Sequence, residues 1–442
     1  MDLIEQALQS PVYLVLIVFI GGLYWVAYRS SIYYVFDPIV PLLLNFTFSG
    51  AFVVWMGASG IIRSDYLWVY IACSIAFTFG FWLGRARWRW GDRPNGNGGD
   101  SARRHTKYTP PGRLDRTHLY YFALLLGLLN FATLVYAFQN GALAILADDP
   151  VVDRVAINAA NRWVSVIMTA SGSVGLLVSV LLIFLSRKRW RKLISATLAA
   201  TFLLNFLSAG SKSAIWTLVF TLGGLIVYLR INRFAVPRWV YTLSYAFIPL
   251  GLAYFILVTS LPGLDSRSWP VRLVMRLAGS GDAYIFFFVA DQYERLRGAY
   301  NIVTYLLHSF TAGLGIKLIP YNIGTALYGN VTGDYSGIGP NPQHVVEAIV
   351  LFGMFFAPVY SFALGWLTAF ARRVFMRKSG NSGLICFLVA FITASTIPVD
   401  ITLWLFYVLA PFAILPVPYF AGKLLARMQR RRPIRKLVVA TV

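Results

Sequence analysis

The chain has 442 residues, 58% hydrophobic, 16% aromatic and only 13% charged, against roughly 45–50% apolar and 25% charged in an ordinary soluble domain. That composition excludes a soluble globular enzyme and predicts an all-α polytopic integral membrane protein. The net charge of +22, from 39 Lys+Arg against 17 Asp+Glu, would suggest nucleic acid as a partner in a soluble protein; its placement along this chain argues for membrane lipids and against nucleic acid.

The opening MDLIEQALQS lacks the basic stretch of a cleavable signal peptide, so the first apolar run reads as a retained span. Crossing a hydrocarbon core of about 30 Å takes roughly 20 helical residues. Eleven stretches qualify as predicted spans, at about 11–28, 38–57, 66–84, 119–138, 164–185, 194–208, 213–229, 239–259, 345–370, 384–400 and 402–422. With the N-terminus outside and the C-terminus inside, the cytoplasmic segments hold 29 of the 39 basic residues and only Asp37, Asp92, Asp100 and Asp115 of the acids. This is the asymmetry the positive-inside rule requires, and the opposite orientation violates it nearly everywhere. The chain then divides into a membrane bundle at 1–259, a large outer loop at 260–344, a second bundle at 345–422 and a basic tail at 423–442. The basic linker 85–118, rich in Gly, Pro and Asn, reads as a flexible segment beside the bilayer.

Two outer segments are long enough to carry specific groups, 139–163 and 260–344. In the first, DRVAINAANRW places Arg154 and Arg162 around Asn158 and Asn161. Between spans six and seven, LSAGSKS sets Lys212 at a helix start, an anion-attracting position that lacks the strand and upstream glycine of a P-loop. In the second, Arg272 and Arg276 are spaced i,i+4, so one helix face presents both guanidinium groups to a diphosphate; snorkelling to phospholipid headgroups is the plainer role. Asp282, after Gly279-Ser280-Gly281, is expected to cap the next helix. Residues 301–320, interrupted by His308, Gly313, Gly315 and Lys317, read as re-entrant or interfacial, because a twelfth span would reverse everything after it. His344 and Glu347 lie one turn apart at the expected outer mouth of span nine, where either could take a proton from an acceptor hydroxyl; helix capping is the competing role.

Cys73 and Cys386 both fall in apolar runs, and no HExxH or paired DxD is present, so the sequence calls for no metal and no cofactor. Residue types and spacing alone lead to an outward-facing site for an anionic, lipid-linked ligand, with Arg154, Arg162, Lys212, Arg272 and Arg276 for binding and Asp282, His344 and Glu347 for proton transfer.

The order of features resembles the Wzy-type O-antigen and exopolysaccharide repeat-unit polymerases: LSAGSKSAIW as a short outer turn, then MRLAGSGDAYIFFF through LIPYNIG to GIGPNPQHVVEAIVLFG. The resemblance implies a GT-C-like architecture and a metal-independent, inverting glycosyltransferase at the periplasmic face of the bacterial inner membrane. It would move a growing glycan from undecaprenyl diphosphate to a lipid-linked repeat unit, with a chain-length regulator and a flippase as partners. The basic residues would hold the diphosphate and an outer His or carboxylate would activate the acceptor. Lys212 departs from the arginine expected at its position and gives up the bidentate fork. An O-antigen ligase and a transporter or flippase of lipid-linked sugars are the alternatives.

Overall fold

The computed structural model describes residues 2–85, 114–146, 160–208, 214–232, a few positions between 238 and 253, and residues 281–335, 339–376 and 380–431. Among them every regular element is a helix, and seven helical stretches are long and apolar enough to cross a membrane. A short amphipathic helix, α1 (Asp2–Gln9), leads into α2 (Pro11–Tyr28), α3 (Ile39–Ala58), α4 (Ser64–Gly84), α5 (Arg116–Gln139), α6 (Arg162–Leu185), α7 (Arg189–Ser208) and α8 (Ala214–Ile231). After the undescribed stretch come α9 (Ile302–Gly313), α10 (Ile323–Thr332), α11 (Gln343–Arg373), α12 (Gly380–Thr393), α13 (Ile401–Ile414) and α14 (Pro416–Arg431). Helices α2 to α6 overlie the apolar stretches marked in the sequence, as long unbroken runs in lipid must, since only a helix satisfies its own backbone there. Most of 239–259 lies outside the described residues.

The side chains sort the bundle into two ends. At one, Arg116 donates to Leu185 O (3.0 Å), Asn381 Oδ1 accepts from Asp115 N (3.0 Å), and Asp115 pairs with Arg430. Arg230 donates to Tyr33 O (3.5 Å), Arg85 to Ser30 Oγ (2.7 Å), and Arg372 binds Asp37. Among the described residues Asp37 and Asp115 are the acids of this basic end. The other end carries Arg63, Asp65, Asp291, Arg162 and the α9–α10 region. There Arg63 pairs with Asp65 (2.5 Å) and with Asp291 (3.6 Å), and Tyr66 donates to Asp291. Asp291 is thus engaged across the bundle end.

The tightest seam lies between α4 and the second half of α11, which run parallel. A Cβ on Gly80 would fall 2.0 Å from Phe362 O, one on Gly84 2.7 Å from Trp366 O, and one on Gly365 2.0 Å from Phe77 O. Gly80 and Gly84 form a GxxxG pair, the spacing that lets two helix backbones touch where lipid supplies no hydrophobic drive for association.

Beneath the centre of the bundle, Arg372 (3% exposed) grips Asp37 (0%) with two guanidinium nitrogens at 2.8 and 2.9 Å and also donates to Ser31 O (3.1 Å). Asp37 further accepts from the backbone N–H groups of Tyr33 and Ile39, both at 3.0 Å, and the guanidinium lies 4.4 Å from the Phe391 ring. With its lone pairs and donors met in this way, the pair can sit in a dry interior.

Candidate functional site

Span nine is not one helix. At Gly353 the backbone takes φ 74 and ψ 168, a conformation closed to L side chains, and the helical rise breaks there. Residues 13 apart on a straight helix stand about 20 Å from one another, yet Tyr360 Oη donates to Glu347 Oε2 (3.4 Å) and the Phe352 and Tyr360 rings are 5.1 Å apart. Residues 343–352 and 354–373 therefore form a helical hairpin. Its first arm begins deep in the bundle and rises to Gly353, and the second descends to Arg372.

A second break faces it. After α12 a turn of 3-10 helix, Ala394–Thr396, gives way to an irregular stretch before α13 starts at Ile401. Helix starts leave backbone N–H groups without partners, and here each broken helix caps the other. Gln343 N donates to Val399 O (3.0 Å) and His344 N to Pro398 O (2.8 Å). In return Ile401 N donates to Glu347 Oε1 (3.3 Å), while Asp400 Oδ1 accepts from Thr402 N (2.9 Å), Leu403 N (3.0 Å) and Thr402 Oγ (2.8 Å). Helix α9, 12 residues and about 18 Å long, is too short to cross the bilayer and closes the knot from the side. Tyr305 Oη donates to Glu347 Oε1 (2.8 Å), and Ser309 Oγ bonds Thr402 Oγ (2.7 Å).

Glu347 is fully buried and accepts three hydrogen bonds, so its carboxylate fastens α9, both arms of the hairpin and α13 together. His344, 3% exposed, has its ring between Phe46 (5.3 Å) and Phe77 (4.9 Å), and neither ring nitrogen has a hydrogen-bond partner. Phe77 stands two turns, about 10 Å, from the basic end of α4, and Phe46 lies equally far along α3. The position expected at an outer mouth is therefore a deep one. The reason is the hairpin: a segment that rises before it descends carries its first residues to the bottom of the bundle.

Asp282 also differs from expectation. Gly281, not Asp282, occupies the cap position of the one-turn helix Asp282–Tyr284, and a Cβ on Gly281 would lie 3.2 Å from Phe52 and 3.6 Å from Ser49, at the middle of α3. From there Tyr284 meets Tyr70 (5.3 Å) and Phe288 meets Tyr66 (4.9 Å) as the chain climbs to Asp291. Arg162 opens α6 at the other end of the bundle, and a Cβ on Gly315 would lie 3.5 Å from its Nη1. Arg154, Lys212, Arg272 and Arg276 lie outside the described residues. The predicted site residues among those described are thus dispersed: His344 and Glu347 share the knot, Asp282 stands beside α3, and Arg162 marks the far end. Helix α10 is tied to the segment before α9 by buried Gln292, which donates to Phe286 O (2.8 Å) and Leu327 O (3.0 Å) and accepts from Asn330 (3.0 Å).

Sequence reasoning missed the feature beside the knot, a cavity of about 600 Å³ lined by α3, α6, α7, α8, α12 and α13. It runs from Ala142 and Asn161 at one end towards Pro38 and Pro41, just above the Asp37–Arg372 pair. Its polar lining consists of amides and hydroxyls, among them Asn45, Ser165, Thr169, Asn205, Asn341 and Thr393, and among the described residues includes no Asp, Glu, Lys or Arg. Val399 and Leu403 form the wall shared with the knot. Such a lining suits a neutral ligand rich in hydroxyl groups, because every wall donor or acceptor can be met without burying charge. The signal available in the sequence was the recurrence of Asn, Ser and Thr inside otherwise apolar spans. Among the described residues no group of His, Cys, Asp and Glu is arranged to hold a metal ion. The chain matches no protein-family model, no curated protein and no solved structure.

Proposed function

We propose that the protein is a membrane glycosyltransferase of the repeat-unit polymerase type, elongating a glycan carried on undecaprenyl diphosphate by transfer to a lipid-linked oligosaccharide. The observation that carries this reading is the cavity inside the apolar bundle whose polar lining, among the described residues, consists of amides and hydroxyls without charge, a lining suited to the hydroxyl groups of a sugar. The basic end, rich in Arg and Lys, belongs to the cytoplasm by the positive-inside rule, which puts the N-terminus and the Arg162 end outside, in the periplasm of a bacterial inner membrane. Arg162, at the cavity's outer end beside lining residue Asn161, would attract the diphosphate with Arg154, Lys212, Arg272 and Arg276. Neutralising a departing diphosphate in this way is electrostatic catalysis that needs no metal. Glu347, Asp282 and His344 remain the candidates for the acceptor's base.

A second reading is transport of the same lipid-linked sugar across the membrane. The two broken helices that meet inside the bundle favour it, since discontinuous helices surround the substrate sites of many transporters. The glycan profile of cells lacking the protein separates the two. Single repeat units on the outer leaflet are expected for a polymerase, repeat units held on the inner leaflet indicate a transporter, and full-length polymer stranded on its carrier indicates a ligase.

A further inference from the structure

A second concavity lies on the opposite side of α3, between α2, α3 and α4, with a volume of about 1050 Å³. Its walls are aliphatic and aromatic, with Leu16, Ile20, Leu23, Val54, Ile75 and Phe79 among them, and it opens sideways on the bilayer-facing side of α2 and α4, where Leu23, Ile75 and Phe79 are exposed. One end alone is charged. Arg29 and Arg85 line it at the basic end of the bundle, beside Ser30 and Trp82. Arg85 is held there by its bond to Ser30 Oγ (2.7 Å) and by the Trp82 ring 5.3 Å from its guanidinium carbon. Neither arginine pairs with a carboxylate among the described residues.

The dimensions fix the kind of occupant. From Leu16 to Arg29 along α2, and from Tyr70 to Arg85 along α4, the groove runs about 20 Å. One leaflet of a bilayer, half of the 30 Å core plus its headgroup layer, is about 20–22 Å deep. We infer that this groove is a binding site for one anionic phospholipid of the leaflet at the basic end, with an acyl chain between α2 and α4 and the phosphate between Arg29 and Arg85. An apolar slot one leaflet long that ends in two guanidinium groups complements that molecule in length, in polarity and in the sign of its charge. The site lies across α3 from the cavity and is independent of any glycan chemistry.

The test is lipid retention by the full-length protein, reconstituted in bilayer discs containing equal phosphatidylglycerol and phosphatidylcholine with identical acyl chains, then extracted and weighed intact by native mass spectrometry. The wild type is expected to keep one phosphatidylglycerol per chain, at least tenfold over phosphatidylcholine. Replacing Arg29→Ala together with Arg85→Ala should reduce that preference at least tenfold, with the elution volume unchanged. Ile75→Trp, which fills the groove from its lipid-exposed side, should lower retention of both lipids. Arg187→Ala with Lys188→Ala, at the same end but away from the groove, should leave retention as it is. The proposal is overturned if the Arg29/Arg85 variant keeps its preference, or if the Arg187/Lys188 variant loses as much, which would reduce the effect to general surface charge. It is equally overturned if cysteines placed at Leu23 cross-link two copies face to face in the membrane while no lipid is retained.

Discussion

Two polar regions lie wall to wall in this bundle, and they differ in how their groups are used. In the knot, the Glu347 and Asp400 carboxylates have their hydrogen bonds met by Tyr305, Tyr360, Thr402 and the backbone of α13. Across Val399 and Leu403, the cavity presents Ser165, Thr169 and Asn341 to about 600 Å³ of open space. A polar group inside a membrane protein is costly unless partnered. In the knot the two carboxylates thus serve as fastenings and the His344 ring is left without a hydrogen-bond partner, whereas the cavity offers amides and hydroxyls to a ligand.

The comparison can be broken at several points. The largest effect is expected at the floor beneath both regions: Arg372→Ala leaves Asp37 buried and uncompensated, which should cost about 3–5 kcal/mol, read as the denaturation midpoint in detergent. Asp37→Asn combined with Arg372→Met should recover most of that loss; failure to do so would mean that the pair contributes more than mutual neutralisation. Next comes Glu347→Gln in the knot. It replaces a carboxylate that accepts from two tyrosine hydroxyls with an amide whose NH₂ faces a donor, at a cost of about 1–3 kcal/mol. Gly353→Ala at the hairpin tip should cost about 1–3 kcal/mol through backbone strain alone, and a neutral result would contradict the φ of 74° found there. The smallest effect belongs to His344→Phe. The imidazole makes no side-chain hydrogen bond and packs between two phenylalanines, so stability should change by less than about 1.5 kcal/mol. Glycan assembly lost in a stable His344→Phe protein would assign the ring a chemical role.

Much of the frame was legible in the sequence because it depends on composition over about 20 residues. The apolar runs become α2 to α6, and the basic segments gather at one end. The hairpin was not legible, since hydropathy carries no direction: 345–370 is a single apolar run apart from Glu347 near its start, and only Gly353, followed by Pro358, marks the reversal. That one reversal moved His344 from an expected mouth to the depth of Phe77. The Asp37–Arg372 pair joins residues 335 positions apart that read separately as two loop charges. GFWLG in α4 did carry a readable signal, the Gly80/Gly84 spacing for close helix contact. The cavity arises from six helices at once, so the Asn, Ser and Thr residues that recur along the spans acquire a common role only when those helices pack together.

The most direct test of the cavity's role is the glycan made by cells whose only copy of the protein carries Thr169→Trp. This indole would fill the cavity from α6 and leave the knot untouched. Protein inserted at the wild-type level with surface glycan reduced to single repeat units is the expected result. Full-length glycan of normal abundance would contradict it and remove the cavity from sugar handling.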